Sequence, residues 1–126
     1  MTASYAQTQN NVLPSAFAPG QSVTAVPYDS VTDGITAHSG GGQANAVPLT
    51  SLLNRVTTVA VANDSVLLPK AVAGLKVRVS NAAANNLGVY PSTGDAINAL
   101  SANAMYAQAT GRVDFICYTT GTWQTA

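Results

Sequence analysis

From Asn63 to Trp123 the sequence consists of short apolar runs separated by turn residues at nearly even intervals, and few charges interrupt them. Asn63-Asp64, Ala73-Gly74, Ala84-Asn85-Asn86, Ser92-Thr93-Gly94-Asp95 and Thr110-Gly111 punctuate the run. Asn and Asp bond their own backbone and Gly accepts positive φ, so each cluster favours a chain reversal. A chain broken this often cannot hold a packed helix of ordinary length. Many short strands in one domain remain.

Individual strands can be read from their period. Leu75, Val77 and Val79 alternate with Lys76, Arg78 and Ser80, which places three apolar residues on a core face and two cations on the other. Val113, Phe115 and Cys117 share one face of Arg112–Thr119, and Asp114, Ile116 and Tyr118 share the opposite one. Further strands are expected over Ala44–Thr50, Val56–Val61, Ser65–Leu68, Leu87–Tyr90 and Asn103–Ala109, with a last one reaching Trp123. Ile97 and Leu100 read as core plugs on a short loop or strand. Leu49, Leu52, Leu53 and Val56 carry a helical spacing after Pro48, but they run straight into β-prone residues, so a strand is the preferred reading over a single helical turn. The turn–strand units differ in length and share no motif, which argues against a solenoid. The expected fold is all-β, an antiparallel β-sandwich or jelly-roll-like domain over residues 43–126.

Residues 1–42 have a different texture. Gln, Asn, Ser, Gly and Pro dominate, and Pro14, Pro19 and Pro27 forbid a continuous helix. This stretch reads as an extended N-terminal arm with a possible edge strand at Ser22–Tyr28 and a hinge or linker at Gly40-Gly41-Gly42. Tyr5, Val12, Leu13 and Phe17 decorate the arm, and such residues either pack on the domain or dock onto a partner.

Composition limits the function classes. Only 8% of the 126 residues are charged, there is no Glu, and the formal net charge is zero. Soluble domains average about a quarter charged residues. A neutral surface of small residues does little to keep copies apart, which suits a permanently assembled protein. No basic cluster offers phosphates a footprint, so nucleic-acid binding is not expected. No apolar stretch approaches the ~20 residues of a membrane span, and MTASYAQTQN has neither the basic start nor the apolar core of a signal peptide. The single Cys117 excludes an internal disulfide and fits folding in a reducing cytoplasm.

Candidate chemistry is sparse. Cys117 lies on the apolar side of its strand, and the only His, His38, sits in the Gly-rich TAHSGGG segment, so no nucleophile–base pair is visible. A lone His lacks a ligand set for a metal. Asp64 and Asp95 occupy turns without calcium-loop spacing and read as turn caps. Gly40–Gly42 lack the Gly-Lys-Ser/Thr ending of a phosphate cradle. Tyr90, Tyr106, Tyr118 and Trp123 are the one set that could line a sugar-stacking surface, with core and turn packing the preferred reading. The expectation is a protein that is not an enzyme, with no cofactor and no metal.

Several elements together resemble a module of structural proteins of tailed bacteriophages. These are NRVTTV at Asn54–Val59, DSVLLP at Asp64–Pro69, AVAG at Ala71–Gly74, VYPSTGDAIN at Val89–Asn98, and the strand from Arg112 to Trp123. The module is similar to β-sandwich domains of capsid decoration (cement) proteins, head fibres and some tail-fibre regions. The resemblance implies a non-enzymatic virion protein on the capsid exterior, assembled in the host cytoplasm and usually homotrimeric, with the major capsid protein as its partner. Tyr5, Val12, Leu13 and Phe17 are then the candidate capsid contacts. The alternative implied is a head-fibre or tail-fibre module that binds a host receptor or glycan. Residues 1–42 carry no part of the resemblance.

Overall fold

A computed structural model describes residues 27–126. The arm residues Tyr5, Val12, Leu13 and Phe17, and most of the Ser22–Tyr28 segment, lie outside the described residues. The described chain is all-β. Its ten strands are β1 (Val31–Thr36), β2 (Val47–Pro48), β3 (Leu53–Thr58), β4 (Ser65–Leu67), β5 (Lys76–Asn81), β6 (Leu87–Tyr90), β7 (Ala96–Ile97), β8 (Tyr106–Gln108), β9 (Gly111–Thr119) and β10 (Thr122–Thr125). Residues 31–42, grouped with the arm on composition, form β1 and the first turn of the folded body.

The strands alternate between two sheets. Sheet A has the order β1-β3-β5-β9-β10-β7, and sheet B the order β2-β4-β6-β8. β1, β3 and β5 run parallel in sheet A, and β2, β4 and β6 run parallel in sheet B. Each pair of consecutive strands therefore makes one coil, and three coils stack in a β-solenoid-like arrangement. β9 then pairs antiparallel with β5, and β8 antiparallel with β6, which reverses the chain and ends the stack.

This corrects two expectations. The domain is not an antiparallel sandwich or jelly roll, since five of its eight strand pairings are parallel. It does contain stacked coils. Strands β1, β3 and β5 begin at residues 31, 53 and 76, steps of 22 and 23, whereas β2, β4 and β6 begin at 47, 65 and 87, steps of 18 and 22. The uneven turns hide the period. Only one column repeats its residue through all three coils, Val47–Val66–Val89, beside the column Pro48–Leu67–Tyr90.

The core lies between the sheets. Val56, Val77, Val79, Phe115, Cys117 and Trp123 from sheet A meet Val66, Leu68, Leu87 and Val89 from the sheet B side, all nearly inaccessible to solvent. Each fully buried side chain of this size contributes roughly 1.5–3 kcal/mol. Tyr106 stands edge-on to Phe115 with ring centroids 5.6 Å apart, a favoured aromatic geometry. The alternations read for Leu75–Ser80 and Arg112–Tyr118 hold: Val77, Val79 and Phe115 are buried, and Lys76, Arg78 and Tyr118 are exposed. The helical spacing at Leu49–Val56 gives no helix, because β3 takes a register against both β1 and β5.

Side chains brace the turns. Asp64 is buried and accepts Gly40 N–H at 3.1 Å and Val61 N–H at 3.1 Å, while its carbonyl accepts Gly88 N–H at 2.9 Å. One residue thus ties three coils together. Asp95 accepts Lys70 Nζ at 2.8 Å and Ala71 N–H at 2.8 Å, joining the PKAVAG turn to the GDAIN turn. Both aspartates are turn caps. Gly40-Gly41-Gly42 is not a hinge. All three residues adopt positive φ, Gly41 donates to His38 O, and Gly42 O accepts Ser65 Oγ at 2.8 Å.

Candidate interaction surface

Seven of the ten charged residues gather on the outer face of sheet A, because β3, β5 and β9 turn their alternate apolar residues inward. Arg55, Lys76, Arg78 and Arg112 stand there with Asp33 and Asp114, and Asp29 lies beside Arg78. Val31, Leu53, Arg78 and Asp114 form one row across four strands, and Arg55, Ser80 and Arg112 form the next.

Five of these seven charges close on one another. Arg55 binds Asp33 through two hydrogen bonds of 2.7 Å each. Arg78 binds Asp114 at 2.7 and 3.0 Å, and Lys76 Nζ lies 3.5 Å from the same carboxylate. Two-pronged pairs of this kind fix geometry as well as charge. The Arg55 guanidinium, followed by Gly34 N–H, pulls the Asp33 carboxyl down to about 2. Arg78 is the main cause that holds Asp114 below the ordinary carboxylate value, with Lys76 assisting. A depressed carboxylate adds stability above its unfolded pKa and loses it as pH falls through its folded pKa. Thermal stability should therefore drop between about pH 4 and pH 2, modestly because the pairs are exposed. Asp114→Asn should flatten that drop in melts followed by circular dichroism. An unchanged acid slope would contradict the assignment.

Between the charges runs an apolar groove. Its central section, of 330 Å3, is lined by Asp29, Leu52, Leu53, Leu75 and Arg78 among others. A section of 250 Å3 continues from Leu53 and Arg78 to Val31 and Asp33; a separate hollow of 410 Å3, without charged lining, lies where Leu52, Leu75 and Pro69 meet the core residues Leu49 and Val77. Val31 is 63% exposed and Leu52 38%. This surface had no sequence signature as a unit, since its residues come from β1 and the residues before it, the turn before β3, β3 itself, the turn before β5 and β5. The exposed Leu52 beside Leu53, read as part of one apolar run, was the available clue.

The residues weighed for chemistry are dispersed. His38 pairs its backbone with Ser65 on the sheet B side, while Cys117 is buried in sheet A with its thiol 3.2 Å from Thr119 O. Among the described residues no three of His, Cys, Asp and Glu gather at one point, and no helix is long and apolar enough to cross a membrane. The aromatic set does not share a surface. Trp123 is wholly buried, Tyr106 packs on Phe115, Tyr90 is half-buried in sheet B, and Tyr118 is exposed in sheet A.

Comparison with known proteins gives no match. No protein-family model, no curated protein and no solved structure matches the chain.

Proposed function

We propose that this chain is a virion structural protein of a tailed bacteriophage, a decoration or cement protein that binds the outer capsid surface and stabilises contacts between major capsid proteins. What carries the reading is how the phage-like stretch maps onto the fold. NRVTTV falls on β3, DSVLLP on the Asp64 cap and β4, AVAG on the turn held by Asp95, and VYPSTGDAIN on the path from β6 to β7. The resembling elements are therefore the braces of a stiff body. Seven of its ten charged residues are engaged in internal ion pairs, and its turns are fixed by buried aspartates.

Such a body suits mechanical work. It acts as a rigid block at a junction between capsid subunits, and an N-terminal arm bearing Tyr5, Val12, Leu13 and Phe17 reaches onto the shell. Apolar burial at roughly 25 cal/mol per Å2 supplies the contact energy. A homotrimer multiplies weak single contacts through effective concentration. Many such contacts oppose the outward force of packed DNA.

The purified protein should pellet with empty capsid shells assembled from the same phage. Full-length Tyr5→Asp/Phe17→Asp should remain in the supernatant with its β-sheet spectrum intact. Wild-type protein left in the supernatant, or a variant that pellets like wild type, would overturn the reading.

A further inference from the structure

We propose that Asp33-Gly34 is a latent modification site, where the chain rearranges spontaneously to isoaspartate, and that Arg55 is the positioning residue that holds this reaction in check. The inference goes beyond the capsid reading and does not depend on it.

Sequence and strand pairing single out the same dipeptide. The five Asp residues are followed in turn by Ser30, Gly34, Ser65, Ala96 and Phe115, so only Asp33 precedes glycine. Glycine leaves its own peptide nitrogen unshielded, and that nitrogen is the nucleophile of the rearrangement. In the pairing of β1 with β3, Thr32 faces Asn54 and Ile35 faces Val56. Asp33 and Gly34 therefore oppose the single residue Arg55, which makes a β-bulge. Gly34 N–H donates to the Asp33 carboxylate at 2.7 Å, so nucleophile and carboxyl group are already neighbours. Gly34 has a φ of +75° and open space beside it, so no other group crowds the approach.

The rearrangement balances with water alone. Gly34 N bonds to Asp33 Cγ and gives up its proton, the Cγ–OH bond breaks, and water departs to leave a five-membered imide. Water then adds at the former main-chain carbonyl of Asp33 and breaks its bond to Gly34 N, so the chain runs on through Cγ. The Asp33 and Arg55 side chains are 51% and 57% exposed, so water reaches the site. The product has the same mass and charge. It has one more carbon in the backbone of β1, and its carboxylate stands one methylene closer to the backbone, away from Arg55.

Arg55 opposes the first step in two ways. The carboxyl must be protonated for water to leave, and the two Arg55 hydrogen bonds of 2.7 Å keep Asp33 ionised, its carboxyl pulled down to about 2. The same two bonds fix the carboxylate so that the Gly34 nitrogen aims at an oxygen and not at the face of Cγ, where the new bond must form. Arg78, the other cation lining this hollow, is committed to Asp114, so the restraint rests on Arg55.

Timed incubation of full-length wild type, Arg55→Gln and Arg55→Lys at about pH 5, where an ordinary Asp is still partly protonated, tests this. Isoaspartate at position 33 is followed by peptide mass spectrometry through its diagnostic backbone fragments, and β-sheet spectra confirm that each chain is folded. Arg55→Gln should form isoaspartate about tenfold faster than wild type or more, because the carboxyl returns from about 2 towards 3.8 and its protonated fraction rises accordingly. Arg55→Lys keeps the charge but loses the second prong, and should fall between the two. In urea all three chains should react at one rate, because the pair exists only in the folded body. Equal rates for folded wild type and Arg55→Gln would overturn the proposal, as would a difference that persists in urea or isoaspartate that forms first at Asp29-Ser30.

Discussion

Trp123→Ala should cost about 3–5 kcal/mol of stability, the range for emptying a large aromatic site in a core. Trp123 is completely buried in β10. It sits opposite Ile97 in the parallel pairing with β7, and its carbonyl accepts Asn98 N–H at 2.7 Å. The side chain thus fills the space where the reversed, final part of the chain closes onto the stacked coils. Domains of this size are stable by only about 5–15 kcal/mol, so the loss takes a large share of the total. Urea denaturation followed by circular dichroism should show a much lower midpoint. Trp123→Phe should lose less, because it keeps most of the apolar volume and removes an Nε1 that has no hydrogen-bond partner among the described residues. Equal midpoints for the alanine variant and wild type would show that the sheet-to-sheet core is not built as described.

Gly88→Val should have the next largest effect, about 2–4 kcal/mol, from steric overlap and broken backbone bonds. A Cβ at Gly88 would lie 2.7 Å from Asn63 O and 2.9 Å from Met105 Sδ. Met105 can swing away, but Asn63 cannot do so freely. It has a φ of 73°, and its N–H donates to Asn86 O at 2.8 Å, next to the Gly88 N–H bond to Asp64 O. Relief of the clash therefore means separating two coils at the corner that Asp64 braces. Gly94→Ala is the control: Gly94 has a φ of +87° but open space around it, so only the backbone strain of about 1–2 kcal/mol applies. If both substitutions cost the same, close stacking of coils at this corner is not what holds them together.

The parts of the fold legible in the sequence are those set by neighbours along the chain. Alternation placed Val77, Val79, Phe115 and Cys117 in the core correctly, and turn chemistry marked Asp64 and Asp95 as caps. Alternation is silent on which strand lies alongside. In a stack of coils, successive strands belong to different sheets, so the partners of β3 are found 22 residues before and 23 after its start. The short apolar runs and Asn/Gly turns read equally well as hairpins. The Val47–Val66–Val89 column was the one repeat through all three coils, and its spacings of 19 and 23 residues differ. β1 escaped notice because VTDGIT carries Asp33 and Gly34 at its centre, where the bulge lies.

The surface was less legible for a related reason. Arg78 and Asp114 are separated by 36 residues and Asp33 and Arg55 by 22, and only the strand order makes each pair. The same order gathers Leu52, Leu53 and Leu75 into one groove.

The most direct test of the account is a cryo-electron microscopy map of the parent virion. The account predicts density on the outer face of the capsid, at junctions between major capsid proteins, into which the two-sheet body of residues 31–126 fits with its three parallel coils. N-terminal density should run from Pro27 onto neighbouring subunits. A capsid with a bare outer surface, or the body found only on the tail, would contradict it.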